Sequence, residues 1–309
     1  MTEHCPPWNL VKMSEIRFYN RYSGQEEVEE VYGEGFLRWT YETTMGKIGL
    51  WLLAKRAIFS HWYGWRMYKS ASAEKIRPFI AEYGLDENEF LDSIDSYSSF
   101  NDFFYRKLKA EARPLVAGEG KIALPADARH LGIPNLGDVE GLFAKGQFFD
   151  VKALLGSVSL ADNYPRGTAL ISRLCPVDYH RYHSPVSGKI VEQRLINGPL
   201  YSVSPIALRQ SMGYLWENKR VLTVIETEDL GLVSFIAIGA TCVGSILMTA
   251  KEGDTVEMGD ELGYFAFGGS CVITLFERDR VKLADDLAEN GPRQLEVYAK
   301  VGDLLGTTL

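Results

Sequence analysis

The sequence predicts an α+β fold in which an N-terminal helical, membrane-associating subdomain packs on a β-rich catalytic domain of barrel or sandwich type. Three observations predict it. Residues 36–90 are rich in Leu, Ala, Trp, Lys and Arg and poor in Pro, which reads as helix. Beyond about residue 115, Val, Ile, Thr and Gly rise and short apolar runs alternate with turn signals, which reads as many strands. A length of 309 residues allows one large or two ordinary domains with a sizeable buried core.

Taken in order, residues 1–15 form a loose extension, 16–115 a mainly helical region and 116–309 the β-rich domain. Residues 15–35 are extended, with a turn at Ser23-Gly24. Ser99-Phe100-Asn101-Asp102 fits a capping box that opens a helix over Asn101–Leu108, and Ala112-Arg113-Pro114 closes it. Strands are expected at Gly188–Val191, Val221–Ile225 and Val233–Ile238. Closely spaced Gly-Asp turns in Glu252–Gly263 suit a compact hairpin.

Composition narrows the function. With 46% hydrophobic and 24% charged residues the chain is globular, neither disordered nor collagen-like. A net charge of −8 and the lack of a basic-aromatic motif argue against nucleic acid as a partner. Cys5, Cys175, Cys242 and Cys271 form no C-x-x-C pair, so zinc ribbons and redox dithiols are disfavoured and reduced thiols expected. The start Met1–Pro7 lacks a charged n-region before an apolar run, so no signal peptide is expected. The nearest candidate for a span, Ile48–Ala54, is interrupted by Lys55-Arg56 and is too short to cross a bilayer.

Residues 36–78 have their own character. They carry eight basic residues against two acidic ones, Glu42 and Glu74, together with Trp39, Trp51, Trp62 and Trp65. Lys and Arg can lay their stems on apolar surface, and Trp rings suit the bilayer interface. Each basic group near an anionic surface gains about 1 kcal/mol. This favours interfacial attachment to anionic membranes; the alternative is a helical unit that packs these aromatics internally.

Three segments carry chemistry: Leu124-Pro125-Ala126-Asp127-Ala128, Cys175–Pro185 and Phe265–Phe276. The second holds His180 and His183, two of five histidines. A zinc site there lacks a third and fourth ligand at matching spacing, so no metal is expected. In the third, Gly268-Gly269 frees the backbone for close approach before Ser270. Asp127, a histidine and Ser270 make a set in which an oriented imidazole can take the serine proton. Spacing alone does not show that they meet.

The same segments resemble the phosphatidylserine decarboxylase family, in its bacterial Gly-Gly-Ser branch. The resemblance runs from Ile16 to about residue 305. It includes Ser99–Leu115, Pro125-Ala126-Asp127, Pro176–Pro185, Ile196–Val203, Glu217-Asn218-Lys219-Arg220 and Phe265–Phe276. It departs at Ala128, where the family usually has Gly, and at Cys271, where it usually has Thr or Ser.

The resemblance implies a proenzyme. Asp127 and His183 would activate Ser270, which attacks the Gly269 carbonyl. The chain would then split into 1–269 and 270–309, leaving a covalent pyruvoyl cofactor made from Ser270. That ketone would take the substrate amine as a Schiff base, with His180 as proton donor in decarboxylation. The product would be phosphatidylethanolamine, made by a homodimer on the cytoplasmic face of the cell membrane. Rival readings are a pyruvoyl decarboxylase of a free amino acid, a zinc hydrolase, and a non-catalytic lipoyl-like barrel. Against the last, Lys251 precedes its turn instead of sitting at the tip.

Overall fold

The structure is a computed structural model that describes residues 15–29, 34–43, 65–138, 149–240, 246–266, 268 and 270–309. Most of the extension, the run Ile48–Ala54, Trp51, Trp62, Gly269, Cys5 and Cys242 lie outside the described residues. The first strands are β1 (Arg17–Asn20), β2 (Gln25–Val28), β3 (Lys121–Ala123), β4 (Ala128–Ile133) and β5 (Thr168–Leu174). Next come β6 (Arg181–His183), β7 (Gly188–Ile196), β8 (Arg220–Glu226), β9 (Leu232–Gly239) and β10 (Ile246–Met248). The last are β11 (Thr255–Val256), β12 (Glu261–Phe265), β13 (Ser270–Phe276), β14 (Val281–Leu283), β15 (Glu296–Ala299) and β16 (Leu304–Thr308).

Among the described residues, one 10-stranded sheet runs β11-β7-β8-β9-β13-β5-β4-β15-β1-β2, and two 3-stranded sheets run β10-β12-β6 and β14-β16-β3. The expected barrel is thus corrected to open, layered sheets. Alternation along a strand fixes which face is buried, not whether the last strand returns to the first. Both edges here are poor partners. β11 has 2 residues, and β2 is the largely exposed, acidic Gln25-Glu26-Glu27-Val28.

The N-terminal reading splits. The expected extended segment is the β1–β2 hairpin, turned by Gly24 at φ 67°. It joins the large sheet through a parallel pairing of β1 with β15. The described helical pieces are Glu34–Glu42, Ser70–Lys75 and Ile76–Tyr83. Ser99 caps Phe100–Phe104, accepting from the Asp102 amide at 3.2 Å. That helix stops before Leu108 because the chain then pairs as an extended strip with Glu89–Leu91. Phe79, Phe90, Phe100, Phe103 and Phe104 form a small aromatic core there, against which Val177 packs.

β13 is buried along its whole length between β5 and β9. Cys271, Ile273 and Leu275 enter a core covered by the helices Val151–Leu155, Val158–Ala161 and Tyr214–Glu217. Val272 and Phe276 enter the opposite core, which the two small sheets close with Tyr182, Leu262, Phe265 and Leu305. Each such apolar side chain stabilises the fold by about 1.5–3 kcal/mol. By the same alternation Ser270 stands on the small-sheet side, where β6 and β12 lie.

Candidate active site

The loop that carries His180 is folded by its own aspartate. Asp178 accepts from the Cys175 amide at 2.6 Å and from Arg129 Nη1 at 2.8 and 2.7 Å. Breaking a buried pair of this kind costs about 3–5 kcal/mol, so the loop is held firmly. His180 Nδ1 then lies 2.9 Å from the Asp178 carbonyl, and its ring lies 3.9 Å from that of Phe104. A carbonyl only accepts, so Nδ1 carries the proton and Nε2 the lone pair. Nε2 is buried and without a hydrogen bond. Burial pushes His180 down to about 3, against the pull of the Asp178 and Gly268 carbonyls. The ring is therefore neutral near pH 7.

His183 sits on β6 opposite Glu261 of β12. Gly263 of β12 lets β10 and the Tyr182 ring pack closely on it, since a Cβ there would meet the Leu247 carbonyl and the Tyr182 hydroxyl. His183 Nδ1 lies 2.8 Å from the Gly259 carbonyl, which again leaves Nε2 as a lone pair, buried and unpartnered. Burial lowers its pKa, opposed by the Gly259 carbonyl and by the charges of Glu261 and Asp127. His183 lines a cavity of about 350 Å³ with Tyr179, Lys109, Arg113 and Met258.

Asp127 arrives alongside because the His183 amide donates to the Pro125 carbonyl at 2.8 Å. Its carboxylate is held by Arg113 at 2.7–3.0 Å and by the Val301 amide at 2.9 Å. Neither histidine is hydrogen-bonded to it. The orienting contact expected from Asp127 to His183 is made by Gly259, and Asp127 reaches the imidazole through its charge. Ala128, the departure from Gly, opens β4 with its methyl in the core and needs no positive φ.

Ser270 is the first residue of β13, between Leu174 and Gly239. Its Oγ is buried and makes no hydrogen bond. Gly268, two residues before it, has φ 137°, open only to glycine at low cost. The Phe265 amide donates to the His180 carbonyl at 2.9 Å, so His180 stands where β12 leads into the junction. His183 lies three residues farther, about 10 Å along an extended chain. Cys271, the other departure, is a buried free thiol facing the helix-covered core.

Among the described residues no three His, Cys, Asp or Glu side chains are grouped to hold a metal ion. Sequence reasoning gave no role to Arg113, Arg129 or Asp178, although all three stand in or next to the segments it used. Nothing in the sequence sets them apart from other charged residues, and only the fold supplies the partner.

The phosphatidylserine decarboxylase family model matches residues 100–307, which hold every one of these groups. The chain belongs to the phosphatidylserine decarboxylase family. A phosphatidylserine decarboxylase proenzyme of Fusobacterium nucleatum is 40% identical over 296 residues, covering 96% of this chain and 99% of that one. One of Clostridium novyi is 38% identical, covering 95% and 100%. One of Chlamydia pneumoniae is 37% identical, covering 95% and 98%. Similarity to these phosphatidylserine decarboxylases therefore runs through the N-terminal hairpin and the helical region as well as the strands.

Proposed function

We propose that this chain decarboxylates phosphatidylserine to phosphatidylethanolamine and CO₂ after cutting itself between Gly269 and Ser270. The observation that carries the reading is the Ser270 hydroxyl, fully buried and unbonded at the head of β13, with His180 standing where β12 leads into the junction. Such an orphaned group costs about 1–3 kcal/mol. It is retained where it has chemistry to do.

In the continuous chain neither imidazole is bonded to Ser270, so attack begins with a local rearrangement at the junction. His183 Nε2 then takes the hydroxyl proton, and the nearby Asp127 charge favours the imidazolium that forms. Oγ bonds to the Gly269 carbonyl carbon as the peptide C–N bond breaks, giving an ester. Loss of the Ser270 α-proton expels the Gly269 carboxylate. Addition of water and loss of ammonia leave a pyruvoyl group at the head of 270–309. The unbonded Oγ after a glycine turn fits that product.

Once formed, the ketone supplies the electron sink that loss of CO₂ requires. His180 delivers the proton to the carbon that has lost CO₂. It is neutral in the empty site, and the anionic headgroup raises its affinity for the proton on arrival. Phe104 and the Asp178 carbonyl hold the ring in place for that transfer.

Purified wild-type protein tests this directly. A denaturing gel and intact mass should show chains 1–269 and 270–309, the latter trapped by hydroxylamine or borohydride. A single unbroken polypeptide with nothing carbonyl-reactive overturns the proposal. Activity on dispersed phosphatidylserine but not on free serine is expected, which separates the lipid enzyme from an amino-acid decarboxylase.

The proposal includes peripheral attachment through residues 36–78, on the cytoplasmic face of the cell membrane, and a homodimer. Trp39 and Trp65 are 52% and 57% exposed, and Lys69 Nζ stands 3.6 Å over the Trp65 ring. No described helix is long and apolar enough to cross a membrane. Deleting 36–78 would also remove Met67 and Ile76 from the aromatic core, so substitution is the cleaner test. Trp39→Ala with Trp65→Ala should weaken binding to phosphatidylserine vesicles by about ten-fold or more. Unchanged sedimentation removes the interfacial role.

A further inference from the structure

Arg106 is a buried cation without an anion of its own. It is 5% exposed, just beyond the helix Phe100–Phe104. The Phe90 and Phe103 rings cover its guanidinium, with centres 5.0 and 4.8 Å from Cζ. Only the edge is left, where the N–H donors point. Nε and Nη1 are buried and donate to nothing, and Nη2 reaches the Val177 carbonyl only at 3.5 Å.

The carboxylates whose charge it feels are already engaged. Asp127 is held by Arg113, and Asp178 by Arg129. Each of the other buried arginines among the described residues has carboxylates or carbonyls of its own, although Arg129 Nε also makes no hydrogen bond. Arg129, Arg173 and Arg181 lie on carboxylates, and Arg220 donates to three carbonyls. A buried charge left with open donors destabilises a fold unless something anionic fills them. Burial lowers the Arg106 pKa to about 10, so the group is still cationic near neutrality.

Its place ties it to the reaction. Val177 belongs to the loop that carries His180, Phe104 lies on the His180 ring, and the charge of Arg106 acts on that imidazole. The residues that follow it, Leu108 to Ala110 and Arg113, line the cavity at His183.

We infer that Arg106 binds the phosphodiester of the lipid headgroup during turnover. The inference rests on the function proposed above. The alternative anion is the substrate carboxylate. That group loses its charge as CO₂ leaves, so a cation on it stabilises the reactant more than the transition state. The phosphodiester keeps its charge throughout, and a fixed cation holds it equally at every stage. The guanidinium fork also matches two phosphate oxygens. Arg106 neighbours Phe104, which packs on His180, an offset that suits a charge several bonds from the reacting carbon.

Steady-state kinetics on phosphatidylserine in mixed micelles tests the assignment with Arg106→Gln and Arg106→Lys. Both should self-cleave as the wild type does. Arg106→Gln should raise KM about ten- to a hundred-fold and change kcat far less, with Arg106→Lys between. An unchanged KM overturns it. Should Arg106→Gln fail to fold, wild-type mature enzyme gives a second readout. Arg106 is modified with phenylglyoxal and mapped by mass, with and without glycerophosphoserine, inorganic phosphate or free serine. Protection by the two phosphate compounds and not by serine is expected. Equal modification in every arm, none in any, or protection by serine overturns the inference. A wild-type chain that neither cuts itself nor acts on the lipid fails the proposed function instead, which keeps the two failures apart.

Discussion

Ser270→Ala is expected to yield one uncut chain with decarboxylation at background, a loss of more than about a thousand-fold. The fold should survive the change. The Ser270 hydroxyl makes no hydrogen bond, so removing it leaves no partner unsatisfied. The remaining methyl stays in a closed core on β13. Stability should shift by no more than about 1 kcal/mol, toward the mutant if either way. Loss of cutting in a chain that still melts cooperatively then points to the missing oxygen. A mutant that still splits between 269 and 270 shows that another group is the nucleophile.

The two histidines should separate maturation from turnover. His180→Ala is expected to cut itself and then decarboxylate about a hundred- to ten-thousand-fold more slowly, the usual contribution of a positioned acid or base. His183→Ala is expected to stay uncut. His180 packs on Phe104 and is fully buried, so its truncation also leaves a void. His180→Asn serves as the control, because its amide keeps a donor for the Asp178 carbonyl. The melting temperature reports the packing loss separately from the chemistry. If His180→Ala and His180→Asn both fold yet remain uncut, the division of labour is wrong and His180 belongs to cutting.

Local structure was the most legible part of the sequence. The Ser23-Gly24 turn, the Ser99 cap and the strands around Val221 and Val233 each follow from a few neighbouring residues, and all are present. Closure was not legible. The alternation of Val233–Ile238 fixes two buried faces, but says nothing about β9 meeting β13 rather than a strand that shuts a barrel. The chemistry-bearing groups were legible as types, because a histidine pair among prolines and a serine after two glycines stand out. Their partners were not. Asp127 is held by the Val301 amide 174 residues away, and Gly259 orients His183 across 76. Arg106 shows the limit most clearly. In the sequence it is one basic residue in Tyr105-Arg106-Lys107, and only its surroundings reveal a buried guanidinium with neither a carboxylate nor a set of carbonyls to receive its donors.

The placement of Ser270 at the head of an interior strand bears on timing. Its neighbours across the ladder, Leu174 and Gly239, come from distant parts of the chain and take their places only when both flanking strands have zipped. Scission is thereby made to wait for folding. A nascent or misassembled polypeptide has no formed junction to break, and under the proposed cut the segment 270–309 is already threaded through the body when it would leave the covalent backbone.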